Sequence, residues 1–333
     1  MTQLTLRLSR LLAIYAVIPL CALAYALDRG VLDGALRDTL PRRPEHLFVY
    51  GLLFGWPHIV ASNVILVSNA EYRRAFRWRV LAASLVIAVF LGAGGVLLPS
   101  AVLSAVMATA TVIHVLKQQI GIGAGRARGW PEHAWGWTGI SAGVALYNAL
   151  YLEEGLVDYE AVLEAASLAL ACAMLALTLL CHRRVPNGLG RAFLWSNTAL
   201  VLAPVAFHRA GYDVFAIAIP RIIHDCTAFT FYVAHDHNKH REAPSNALYR
   251  AAALLPGGSY WLSPALAIGL AFAIEHYGDA AANVLAGGAL AGRFPQAVSL
   301  GLLVYLGLLH YFTESFTWKT GSPYRRYVSV RSE

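Results

Sequence analysis

Four histidines fall within stretches that otherwise read as membrane-spanning: His58, His114, His224 and His310. An ionisable or metal-ligating side chain at bilayer depth is costly, so each marks a functional site by default. Three of them bring a polar companion. Gln118 stands one helical turn after His114, Glu314 one turn after His310, and Asp225 directly after His224. A further group, His235-Asp236-His237-Asn238-Lys239-His240, closes the stretch that carries His224. Imidazole suits iron, zinc, copper and nickel, and a carboxylate moves the preference toward iron or manganese and away from copper(I). These residue types at these spacings predict a metal centre buried in a helical bundle, and with it an intramembrane enzyme.

The elements that must position these groups are apolar helices. The 333-residue chain is 58% hydrophobic and 14% charged, whereas soluble domains carry about 25% charged residues. A transmembrane helix needs roughly 20 apolar residues. Ten stretches qualify, at roughly 11–27, 47–68, 80–97, 100–122, 135–152, 160–181, 192–208, 213–235, 258–276 and 296–315. The expectation is an all-α, polytopic integral membrane bundle of about ten transmembrane helices, forming a single transmembrane domain over 1–333. With the N-terminus inside, the basic loops (Arg73, Arg74, Arg77 and Arg79; Arg126 and Arg128; Arg183, Arg184 and Arg191; Lys239, Arg241 and Arg250) and the basic tail all fall on the cytoplasmic side. An acidic loop around Glu153, Glu154, Asp158 and Glu160 falls outside. The positive-inside rule therefore predicts both termini in the cytoplasm and a multi-pass protein of a bacterial-type inner (plasma) membrane. The net charge of +7 follows from that distribution and requires no nucleic-acid partner. Cys21, Cys172, Cys181 and Cys226 lie in apolar segments without C-x-x-C pairing, so they read as buried packing thiols. The basic, then apolar N-terminus reads as a retained first helix.

On this topology the second, fourth, eighth and tenth helices run in one direction. Each places its histidine about 11 to 14 residues in, at depths that agree within about 5 Å. Facing helices of a bundle build metal sites in just this way. His224 and His235 share a helix face but stand about 16 Å apart along the axis. The spacing therefore fits a deep layer of His58, His114, His224 and His310 above a rim of His235, His237, His240 and Glu314. It equally fits His310, Glu314 and His114 at the rim. The candidate metal ligands are His58, His114, His224, His235, His240, His310 and Glu314, and the candidate catalytic groups are Glu314, Asp225 and Lys117. Asp225, Gln118 and Asn63 are expected to orient imidazoles through their second nitrogen. Arg221 and Lys117 lie within spans, where they snorkel, pair with Asp225 or Glu314, or bind an anionic group.

Plainer readings stand beside these. His46, His133, His182, His208 and His276 sit at helix ends and read as interfacially solvated, and the His235–His240 group reads equally as a solvated cytoplasmic loop. Pro57 is expected to kink the second helix just before His58. The aromatic and basic tail from Trp318 to Tyr327 suits an interfacial anchor or a cover for the cytoplasmic mouth of the site. Gly121-Ile122-Gly123-Ala124-Gly125 follows no strand and is not a dinucleotide fingerprint.

The Gly55-x-Pro57-His58 step, with histidines on several spans and the segment Phe231-Tyr232…His235-Asp236…His240, resembles the bacterial Brp/Blh family in two short motifs. Members of that family are integral-membrane, iron-dependent enzymes that cleave β-carotene to retinal with oxygen. The resemblance implies His58, and with it His235 and His240, as iron ligands. The family continues its Pro-His with Gly and, four residues on, with Asp. Here Ile59 and Ser62 stand in those places.

The reading that follows is a non-haem iron oxygenase with one or two iron ions and oxygen as cosubstrate. It would act on a hydrophobic small molecule, such as an isoprenoid or acyl chain, among membrane lipid, with an electron donor as a further partner. Competing readings are a proton-coupled transporter relaying protons through the histidines and Glu314, a haem or quinone redox protein with two opposed histidines, and a zinc-dependent membrane hydrolase, since His and Glu also serve zinc.

Overall fold

A computed structural model describes residues 3–123, 129–151, 157–241, 244, 246–285 and 297–331. The chain is helical almost throughout. Helix α1 (Leu8–Ala13) runs through a single 3-10 turn into α2 (Val17–Gly30), and α3 (Ala35–Thr39) is one short turn. Next come α4 (Phe48–Leu53), α5 (Trp56–Ser68), α6 (Ala70–Leu97), α7 (Ser100–Gly123), α8 (Trp130–Tyr151), α9 (Val157–His182) and α10 (Gly188–Arg209). The series closes with α11 (Asp213–His240), α12 (Ala247–Ala252), α13 (Gly258–Leu285) and α14 (Ala297–Thr317). Strands β1 (Thr5–Arg7) and β2 (Ser329–Arg331) pair the two ends of the chain.

Among the described residues each of the ten apolar stretches is mostly helical. Among the described residues, six helical segments are long and apolar enough to cross a membrane: Leu8–Gly30, Phe48–Ser68, Ala70–Leu97, Ser100–Ile122, Tyr159–His182 and Asp213–His240. Their surfaces suit such surroundings, for α6 leaves Leu85, Val86, Val89, Val96 and Leu97 exposed. A contiguous apolar face of that kind is rare on a protein surrounded by water.

Three differences from the sequence reading bear on the site. The second span is two helices rather than one kinked helix. The backbone breaks at Gly55, whose φ of +74° is a conformation that glycine adopts without a Cβ penalty. Pro57 then occupies the first turn of α5, where a missing N–H removes no intrahelical bond. The His235–His240 segment is not a solvated loop: α11 continues to His240, and His235, Asp236 and His240 are buried. Of the cysteines only Cys181 is buried; Cys172 is exposed, and Cys21 and Cys226 are half-buried. The loops carrying Arg126 and Arg128, and Glu153 and Glu154, lie outside the described residues.

The chain forms two compact units. Unit 1 comprises Met1–Leu6, Phe48–Leu98 and Ala228–Arg331, and unit 2 comprises Arg7–Leu47, Pro99–Thr227 and Ser332–Glu333. In unit 1, α5 packs on α13 and α14, and α14 packs on α6. In unit 2, α8 packs on α9 and α7, and α10 packs on α7, α8 and α9. Close approach there depends on small residues: a Cβ on Gly139 would meet Met174 at 2.7 Å, and one on Gly143 would meet Leu116 at 2.6 Å. Buried polar side chains tie the same helices together. The Tyr15 hydroxyl donates to Asn197 at 2.9 Å, and Trp135 Nε1 donates to Thr178 at 3.0 Å.

Candidate metal centre

In unit 1 the break at Gly55 places His58 in the first turn of α5, where the leading amide N–H groups have no intrahelical acceptor. His58 faces His310 of α14. Their rings meet edge to face at 81°, with centroids 4.9 Å apart. Each offers a ring nitrogen within 4.8 Å of the other's. Two nitrogens bound to one ion at about 2.1 Å can stand at most about 4.2 Å apart, so this pair lies near the separation that one ion would require. His310 is fully buried and His58 is 4% exposed.

Glu314 adds the carboxylate. It follows His310 by one turn of α14, so both side chains project from one face, with Glu314 Oε1 4.0 Å from His310 Nδ1. A buried carboxylate is costly without donors, and the Tyr232 hydroxyl of α11 donates to Glu314 Oε1 in a short hydrogen bond. Asn63 plays a different part from the one expected of it. Its amide donates to the Ile59 carbonyl at 2.9 Å and to the Leu306 carbonyl of α14 at 3.2 Å. It therefore braces the two helices that carry His58 and His310 rather than orienting an imidazole.

Below this pair, Ser62, Tyr72, Tyr232, Glu314, Trp318 and Tyr324 are among the residues that line a small cavity. Its far side is a buried polar chain built around His235. His235 Nε2 meets the Tyr72 hydroxyl at 2.5 Å, and His235 Nδ1 meets Asp236 Oδ1 at 2.8 Å. Tyr249 donates to Asp236 Oδ2 at 2.5 Å. The His235 ring stacks on Tyr324 at 4.4 Å, and the His240 ring stacks on Tyr249 at 3.5 Å. Both ring nitrogens of His235 are thus engaged by protein groups. Among the described residues, neither His235 nor His240 belongs to a cluster of three ligating groups. Tyr324 comes from the tail, which folds back onto His235. Lys239 closes the rim, bonded to Glu71 at 3.0 Å and placed over the Tyr327 ring at 4.2 Å. Two phenols outside the spans titrate high: burial, reinforced by the negative charge of Asp236, raises Tyr249, and burial next to Glu314 and Asp236 raises Tyr324.

Unit 2 holds a second imidazole pair. His114 of α7 and His224 of α11 meet edge to face at 80°, centroids 4.9 Å apart, nearly the geometry of the first pair. Asp225 is buried beside His224 in the chain. Lys117, three residues after His114 on α7, is exposed. Arg221 donates to the Tyr151 hydroxyl at 3.1 Å. His208 is not merely solvated, since Asp213 at 2.7 Å and Glu164 at 3.0 Å hold its two nitrogens. His182 accepts from Trp195 Nε1 at 3.1 Å.

Sequence reasoning missed the tyrosines. Tyr72, Tyr232, Tyr249 and Tyr324 supply most of the polar contacts around Glu314 and His235. Two signals were available: Tyr232 stands three residues before His235, on the same face of α11, and Tyr72 opens an otherwise basic segment. No protein-family model, no curated protein and no solved structure matches this chain.

Proposed function

We propose that this chain is a membrane-embedded, metal-dependent oxygenase acting on a lipid-soluble substrate such as an isoprenoid or acyl chain. His58, His310 and Glu314 hold non-haem iron, and the His114–His224 pair supplies a second set of imidazole ligands. The observation that carries this reading is the His58–His310 pair with the Glu314 carboxylate one turn away, all three buried. Buried imidazoles with a carboxylate beside one of them form a donor set suited to iron. The resemblance to the Brp/Blh family points to the same metal and to a polyene or other isoprenoid as the class of substrate. The ten apolar helices and the distribution of basic residues support ten spans with both termini in the cytoplasm, in a bacterial-type plasma membrane.

Iron held by these residues would supply oxygen activation. The chain's own residues do the rest. Tyr232 fixes the Glu314 carboxylate through Oε1, the oxygen that stands 4.0 Å from His310 Nδ1. Asn63 locks α5 to α14 and so holds the two imidazoles in register. The apolar helices around them exclude water and admit a hydrocarbon from the bilayer. Asp225 and Lys117, expected as catalytic groups, enter this account only as neighbours of the second pair on α11 and α7.

Oxygen uptake by the iron-loaded protein in lipid nanodiscs tests the reading. The prediction is uptake on adding carotenoid, other isoprenoid or polyunsaturated acyl lipid, with a cleaved or oxygenated product, and none of this in H58A. Equal uptake by wild type and H58A would refute it.

A further inference from the structure

Unit 2 encloses a cavity that no part of the polar chemistry above uses. Its walls include Thr111 and Val115 of α7, Gly143 and Tyr147 of α8, Val201 of α10 and Pro220 of α11. All of these are buried except Thr111, which is half-buried. The space has local causes. Pro204 and Pro220 stand inside α10 and α11, where each removes a backbone hydrogen bond and kinks its helix.

The lining is apolar in effect as well as in composition. The two hydroxyls on it are turned to backbone carbonyls: Thr111 donates to Met107 at 2.8 Å and Tyr147 donates to Ile217 at 3.1 Å. A buried water needs two to four polar partners, and apolar cavities without them stay dry and take up xenon or small hydrocarbons. The location is as informative as the lining. Thr111 precedes His114 by three residues and Pro220 precedes His224 by four. Positions three and four apart share a helix face, so the cavity lies one turn from the His114–His224 pair on both helices.

We infer that this cavity is a binding site for a small apolar gas, and that it stores dioxygen beside the His114–His224 pair. The function of the gas rests on the oxygenase reading, but the binding site itself does not. Dioxygen is apolar, partitions into the bilayer, and needs a dry pocket without hydrogen-bond partners. A polar cosubstrate or a hydrated ion would find nothing here to replace its water.

Two measurements test the inference. The first needs no metal: crystals of the whole protein are pressurised with xenon, and anomalous density is sought in the cavity. One xenon in the wild type is expected, with about threefold lower occupancy in Val201→Ile and none in Val201→Phe, since added methylenes fill such a space. Absence of xenon, or ordered water in its place, would overturn the inference. Val201→Ile is nearly isosteric and keeps the test valid should Val201→Phe fail to fold. The second uses nitric oxide as the gas and iron-loaded protein. Val201→Ile should slow the appearance of the iron–nitrosyl spectrum about threefold with an unchanged final spectrum, as a narrowed store lowers the rate of encounter. An unchanged rate would overturn the storage role. Protein that takes up no iron would refute the oxygenase reading, while leaving the xenon result to decide the site.

Discussion

The imidazole rings of His58 and His310 stand at 81° to each other, 4.9 Å apart between centroids, although they lie 252 positions apart in the chain. The broken second span makes this meeting possible. With α5 starting afresh at Trp56, His58 lies on the first turn of a helix whose direction is set independently of α4. A continuous helix through Gly55 would fix the side chain's direction from the register of Phe48–Leu53.

Restoring that continuity is therefore expected to damage the centre. Gly55→Ala places a Cβ on a residue with φ of +74°, at a cost of about 1 kcal/mol or more. Metal affinity should fall together with thermal stability, and stoichiometric metal with unchanged melting would count against the break as a positioning device.

Tyr232 is expected to act through Glu314. Tyr232→Phe removes the donor to the carboxylate and keeps the ring. Loss of a hydrogen bond behind a metal ligand lowers metal affinity about 10- to 100-fold. Titration of the apo protein with iron or cobalt should show that weakening, with full occupancy restored at high metal. Unchanged affinity would mean that Tyr232 has only a packing role.

Asn63 braces α5 against α14, so Asn63→Leu should lower stability by about 1–2 kcal/mol through two lost hydrogen bonds and weaken metal binding as well. Lys117→Gln is the counterpart. The side chain is exposed, and neither melting temperature nor metal content should change. Loss of metal in Lys117→Gln would return this residue to the site.

The buried tail sets an alkaline limit. Burial next to Glu314 and Asp236 raises the Tyr324 phenol above its ordinary value near 10. The folded form then holds its proton more tightly than the unfolded chain. The stability this contributes is complete below about pH 10 and is lost as pH rises from there toward the folded value. Tyr324→Phe keeps the stack on His235 and removes the titration, so its alkaline unfolding midpoint should lie above that of wild type. An equal or lower midpoint would contradict the assignment.

The sequence made the helices legible because each is a long apolar run between charged loops. Even so, it read a proline kink where Gly55 makes a true break, because Pro57 alone does not say whether a helix continues or begins. Histidines at equal depth pointed to one layer of four, whereas spacing alone did not say that His58 meets His310 and His114 meets His224. Spacing along single helices said nothing of which faces meet across the bundle, so Tyr232 on Glu314 and Tyr72 on His235 were invisible. His235 and His240 looked solvated or ligating, yet the structure surrounds them with tyrosines from α6, α12 and the tail. Those contacts are long-range in the chain and leave no local pattern.

The most direct test is elemental analysis with an optical spectrum on detergent-purified wild type, His58→Ala and His310→Ala, each confirmed as folded by size-exclusion chromatography. The account predicts near-stoichiometric iron without a Soret band in the wild type and loss of most of that iron in both variants. No metal above background in the wild type after anaerobic iron loading, or equal iron in all three proteins, would contradict it.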